Sequence, residues 1–193
     1  MREKFFICIF LGIIFAFQFY QIHDLKLMIQ NQNIGRTFQN SEKNLDELKF
    51  LSCAVPVEGE GIIIRLDDSS KVTKSGENPN LYVVHDDDIL RVINELKAAG
   101  AEAISINGQR LTAVSEIRCA GPTISVNNVR SSAPYEICAI GEKKSLENSI
   151  KMRGGVEETL KVWGIQLEVE VKDKIFIPAY KGEIQNRYAK IVE

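Results

Sequence analysis

Residues 5–20 read FFICIFLGIIFAFQFY, an apolar run without a charge, in which Gln18 is the strongly polar side chain. A helix of this composition is apolar on every face and needs either hydrocarbon or a large protein interior around it. A chain of 193 residues offers little interior of that size. Ile22 extends the run to about the lower limit for crossing a bilayer. Arg2 and Lys4 precede it, so the positive-inside bias keeps the N-terminus in the cytoplasm and sends the residues from 24 onward across the membrane. A cleaved secretory signal shares the charged start but wants small residues at its cleavage site. This run ends Ala16-Phe17-Gln18-Phe19-Tyr20, with aromatics where an interfacial belt sits. An uncleaved anchor over residues 1–22 is therefore expected, with single-pass membrane localisation and an extracytoplasmic main domain.

Residues 23–55 change character. Gln30-Asn31-Gln32-Asn33 and Asn40-Ser41-Glu42-Lys43-Asn44 dilute the apolar positions, so this stretch has no core of its own. Ile34, Phe38, Ser41, Leu45 and Leu48 fall at alternating steps of four and three, as do Ile22, Leu25 and Ile29. A helical stalk is expected, either as a lone helix or as a coiled coil that makes a homodimer. Pro56 and the Gly59-Glu60-Gly61 step end the pattern, which places one domain over residues 56–193.

Lys and Arg total 24 against 26 Asp and Glu, a formal net charge of -2, so no basic field recruits nucleic acid. Four cysteines occur, and Cys8 lies in the apolar run. Export permits a Cys119–Cys138 bridge, while buried reduced thiols are the plainer reading.

Within the domain, residues 61–66 form a β-branched strand stopped by Asp67-Asp68-Ser69-Ser70. Residues 81–84 read as a second strand, and Ile89, Val92, Ile93 and Leu96 draw one helix face that Gly100 closes. Strands follow at 103–106 and 111–119 across an Asn107-Gly108 turn, then a small hairpin around Asn127-Asn128, and a strand at 135–140. Helices are expected at 145–152 and 156–163, and a terminal hairpin turns at Lys172-Asp173-Lys174. Strand, helix, glycine and strand recur twice. The expected fold class is α+β, an antiparallel-rich sheet with helices on one face, ferredoxin-like with extra hairpins.

No decisive catalytic signature is present. His85 is the domain's histidine, and the adjoining Asp86-Asp87-Asp88 suit helix capping better than a metal. Gly59-x-Gly61 and Arg153-Gly154-Gly155 lack the context of nucleotide loops and read as turns. The polar groups with most to offer are Asn107, Gln109 and Arg110 at a hairpin tip, together with Arg118, because arginine clamps carboxylates and phosphates. Asp67 and Asp68 join them as a candidate interaction or ligand surface. No cofactor, metal or catalytic residue is expected.

The block Asn94-Glu95-Leu96-Lys97-Ala98-Ala99-Gly100-Ala101-Glu102-Ala103-Ile104-Ser105-Ile106-Asn107-Gly108-Gln109-Arg110-Leu111 carries a specific resemblance, together with Gly59-Glu60-Gly61, Val84-His85-Asp86-Asp87-Asp88, Ile117-Arg118-Cys119-Ala120-Gly121-Pro122 and Pro178-Ala179-Tyr180. In these residues the chain resembles the bacterial domain-of-unknown-function family 881, the YlxW-type proteins sometimes labelled division initiation proteins. The resemblance implies a membrane-tethered extracytoplasmic domain linked to envelope growth or cell division, with protein partners in the cell envelope. It implies no reaction. An interaction or scaffold module is the leading reading. A small-ligand or wall-precursor binder, or a hydrolase, using Asp67, Asp68, Arg110 and Arg118 in one pocket is the rival.

Overall fold

Ile62, Ile64 and Leu66 alternate along β1 (Val57–Asp67) and are fully buried, so one face of this strand forms the floor of the main core. The computed structural model describes residues 18–21, 26, 28, 43–71, 76, 78–184, 188–190 and 192. Contacts divide the chain into two units, Met1–Leu48 and Lys49–Glu193. Most of the expected anchor, residues 1–17 and 22, and most of the expected stalk lie outside the described residues. Among the described residues no helix is long and apolar enough to cross a membrane. In the first unit, residues 18–21, 26, 28 and 43–48 are helical.

In the second unit β1 is followed by a 3-10 turn, Pro79–Tyr82, and by α1 (Asp86–Ala98). Next come β2 (Ala103–Ile106), β3 (Gln109–Arg110), β4 (Ile117–Ala120), β5 (Thr123–Val126), β6 (Val129–Ser131) and β7 (Tyr135–Ile140). The chain then forms α2 (Lys143–Ile150), α3 (Val156–Trp163) and β8 (Gln166–Ile177). β4, β5 and β6 form a separate three-stranded sheet, and the main sheet has the antiparallel order β3-β2-β7-β1-β8. β1-α1-β2 and β7-α2-α3-β8 interleave, each pair of strands being split by a strand of the other. This is the split β-α-β arrangement of a ferredoxin-like sheet. The α+β expectation, with an antiparallel sheet and helices, holds.

The helices bury Ile89, Val92, Ile93 and Leu96 of α1, Leu146 and Ile150 of α2, and Val156 and Leu160 of α3 in one cluster with Ile62, Ile64 and Leu66. Ile124 and Val126 of β5 join the same cluster, so the small sheet closes the helix-side core. A second cluster, containing Ala103, Cys138, Ile140, Ile175 and Ile177, lies on the other face of the main sheet.

Three expected elements take other forms. Residues 81–84 are not a strand: the Asn78 side chain accepts from Asn80 N at 3.1 Å and Pro79 presets a helical φ, which winds Leu81 and Tyr82 into the 3-10 turn. The strand expected over 111–119 is reduced to β4, because Thr112 N donates to Ser115 Oγ at 2.9 Å and Val114 N to Thr112 Oγ1 at 3.2 Å, local bonds that compete with a ladder. The terminal hairpin is a single strand. β8 pairs with β1 along its whole length, and its extra residue is absorbed where Gly59 faces Ile175 and Gly61 faces Lys172. The first of the two repeated strands is thus β1 and not the segment at 81–84.

Gly59 and Gly61 are strand residues, not a turn. A Cβ on Gly61 would sit 1.9 Å from the Ala139 carbonyl oxygen, so β7 approaches β1 there as only glycine permits. The turn at Arg153-Gly154-Gly155 is as read, and Gly155 is the N-cap of α3.

Candidate functional site

The structure separates the six candidate residues. Asn107 has φ of 45° in the β2–β3 turn, and its Oδ1 accepts from Glu136 N at 2.7 Å while its own N donates to Glu136 O at 2.8 Å. This residue is committed to pinning the turn on β7. Gln109 is half-buried beside it. Asp67 ends β1, where its Oδ1 accepts from Asp68 N at 3.0 Å, and Asp68 Oδ1 accepts from Val84 N at 2.8 Å, holding the approach to α1. Arg118 is exposed on β4. Arg110, expected at a solvated hairpin tip, is 2% exposed. It faces Ser105 across the β2–β3 pair, and its carbonyl oxygen accepts from Asn127 Nδ2 at 2.8 Å. None of the three described clefts is lined by Asp67, Asp68, Arg110 and Arg118 together.

The N-terminus of α1 gathers the reactive groups. His85 N donates to Asp88 Oδ2 at 3.0 Å, the capping role expected for the acidic run. Burial raises the Asp88 carboxyl above its ordinary range despite that bond. Asp86 reaches out to β4: its Oδ2 accepts from Cys119 N at 2.8 Å and its Oδ1 from Cys119 Sγ at 3.2 Å. The backbone bond from Cys119 holds the Asp86 carboxyl below its ordinary range. His85 Nε2 lies 2.7 Å from the Asn80 carbonyl oxygen, to which it donates, and Nδ1 lies 3.8 Å from Cys119 Sγ.

A cysteine, an imidazole and a carboxylate beside a cleft outline a thiol nucleophile with its base. The electrostatics oppose it. Desolvation pushes the Cys119 thiol up, and the Asp86 and Asp87 carboxylates push it further, so the neutral thiol is favoured. Sequence spacing gave no sign of this cluster, because Asp86 and Cys119 meet only through the docking of the small sheet.

Two clefts flank His85. One, about 380 Å³, lies between Asp68, Cys119, Thr123 and Tyr135. The other, about 360 Å³, runs between α1 and α3 past Arg91, Thr159 and Trp163. Leu81 at 41%, Val83 at 37% and Trp163 at 42% exposure line the second, with Val162 at 69% next to it in α3. Among the described residues no group of three His, Cys, Asp or Glu side chains is arranged to hold a metal ion.

The split β-α-β sheet, the small accessory sheet and the open clefts define an α+β module. Residues 44–190 match the family described as bacterial protein of unknown function (DUF881), and the chain belongs to that family. It is 36% identical over 138 residues to UPF0749 protein YlxW of Bacillus subtilis (strain 168), covering 72% of this chain and 59% of that protein. It is 31% identical over 144 residues to UPF0749 protein Rv1823 of Mycobacterium tuberculosis (strain ATCC 25618 / H37Rv), covering 70% of this chain and 47% of the relative. The chain thus spans about half the length of the curated relatives it matches. A crystal structure of an uncharacterized conserved protein from Mycobacterium tuberculosis superposes with a TM-score of 0.62 at 30% identity, over 77% of this chain and 99% of that one.

Proposed function

We propose that this chain is a noncatalytic interaction module, tethered by residues 1–22, facing outward and serving bacterial envelope growth or cell division. The apolar run and the family resemblance support the location. The observation that carries the interaction reading is the apolar rim at the α1–α3 cleft, where Leu81, Val83, Val162 and Trp163 stay exposed around an open groove. Exposed aromatic and aliphatic side chains grouped around a groove are the usual anchors of a protein partner. The polar groups nearby support the same reading, since the Asp68, Asp86 and Asp88 carboxylates accept backbone N–H groups within the fold. This surface differs from the sheet-edge surface around Arg110 and Arg118 expected from the sequence. Self-association through the stalk remains part of the proposal and rests on the heptad spacing alone.

Two measurements on the full chain in living cells test it. A membrane-impermeant maleimide should label the exposed Cys119 without lysis; labelling that requires lysis overturns the location. A photocrosslinking residue at position 163 should capture an envelope protein or a second copy, and Leu81→Asp in the same chain should abolish that adduct. An adduct that persists in Leu81→Asp, or none at native expression, overturns the docking surface.

A further inference from the structure

We infer that Arg110 forms the floor of a carboxylate-binding site. The guanidinium is buried at 2% exposure, yet its Nε and Nη1 have no hydrogen-bond partner. Those two atoms carry three N–H donors. Folding has removed the water that would otherwise hydrate them, and the fold supplies nothing in its place. The main chain here is fully engaged by contrast: β3 is paired with β2, and the Arg110 carbonyl oxygen accepts from Asn127. The side chain therefore has a fixed origin and an unmet demand for an anion.

Arg110 lines an open cleft of about 240 Å³ at the edge of the sheet, with Lys97 and Thr112 as polar neighbours and Ile104, Leu111 and Ala113 as apolar walls. That volume admits a few heavy atoms, such as one small acid or the last residue of a peptide. Charge selects the class of anion. Lys97 and Arg110 against Glu102 leave one net positive charge in the cleft, which one carboxylate neutralises, whereas a dianion such as phosphate leaves surplus negative charge beside Glu102. The apolar walls take a short hydrocarbon stem. The site is independent of the tether and of the α1–α3 groove.

Equilibrium dialysis of the full chain in nanodiscs against radiolabelled butyrate tests the inference. One butyrate should bind per chain, butyramide should not compete, and melting temperature should rise with butyrate. Arg110→Met should weaken binding by about tenfold or more while melting no lower than the parent in the absence of ligand. Ala113→Trp, which fills the cleft and leaves the arginine in place, should lose binding with an unchanged melting temperature. Absence of butyrate binding to the parent chain, or a melting temperature raised by inorganic phosphate and not by butyrate, overturns the assignment.

Discussion

Asp86 and Cys119 are joined twice, by the Cys119 N–H to Oδ2 at 2.8 Å and by Sγ to Oδ1 at 3.2 Å, so the first residue of α1 holds the first strand of the small sheet. The pair has consequences for both acid stability and thiol chemistry.

The Asp86 carboxyl titrates below its unfolded value, so its contribution is present above the unfolded pKa and is lost as pH falls through the folded one. The small sheet should loosen first in acid, below the ordinary carboxylate range, seen as faster amide exchange in β4 and β5. In Asp86→Asn the thiol loses a neighbouring negative charge, and iodoacetamide should modify Cys119 about threefold to tenfold faster at pH 8, read by peptide mass. An unchanged rate would show that desolvation alone raises this thiol.

Cys138 should behave oppositely. Burial first, then the Glu136 charge, push its thiol up to about 11, so it should resist alkylation at pH 8 until the chain unfolds. It packs on the face of the main sheet opposite the core that β5 joins, while Cys119 lies in the small sheet, and both are free. The bridge considered for these two cysteines is absent, and mild oxidation followed by peptide mapping should find no Cys119–Cys138 link.

Gly61→Ala should be among the most damaging small substitutions. Its methyl group would fall inside the Ala139 carbonyl, and separating two central strands should cost about 3 kcal/mol or more by denaturant unfolding. Gly108→Ala meets no atom but keeps φ at 73°, so about 1 to 2 kcal/mol is expected there. Equal losses at the two sites would refute the close-approach account.

Asn107 combines a left-handed backbone with a side-chain bond to Glu136 N. Asn107→Gly should lose only the bond, about 1 kcal/mol, whereas Asn107→Ala should also strain the turn and cost about 2 to 3 kcal/mol. A chain in which alanine is tolerated as well as glycine would show that the backbone shape is unimportant.

Periodicity made much of the second unit readable. The 3.6-residue spacing of Ile89, Val92, Ile93 and Leu96 marked α1, and β-branched runs marked β1, β2 and β7, because each element buries one face. Where spacing is short-range and polar, reading went astray. Residues 111–116 look extended in composition, yet Thr112 and Ser115 bond each other, and residues 172–174 look like a turn although β1 continues opposite them. A bulge can replace a turn only when a partner strand is long enough, which is a tertiary fact.

The candidate site divides in the same way. Arginine at 110 was visible as a group able to clamp an anion, and the acidic run as a cap, since both follow from residue chemistry and local position. That Arg110 is buried with unused donors beside a cleft, that Asp86 meets Cys119, and that Trp163 edges an open groove depend on how the sheet, helices and small sheet close on each other. Local order determines α1, β1, β2, β7, the Asn107-Gly108 turn and the family of this chain. Burial and the pairing of residues distant in sequence are set only when the elements pack, because water leaves a side chain according to what covers it.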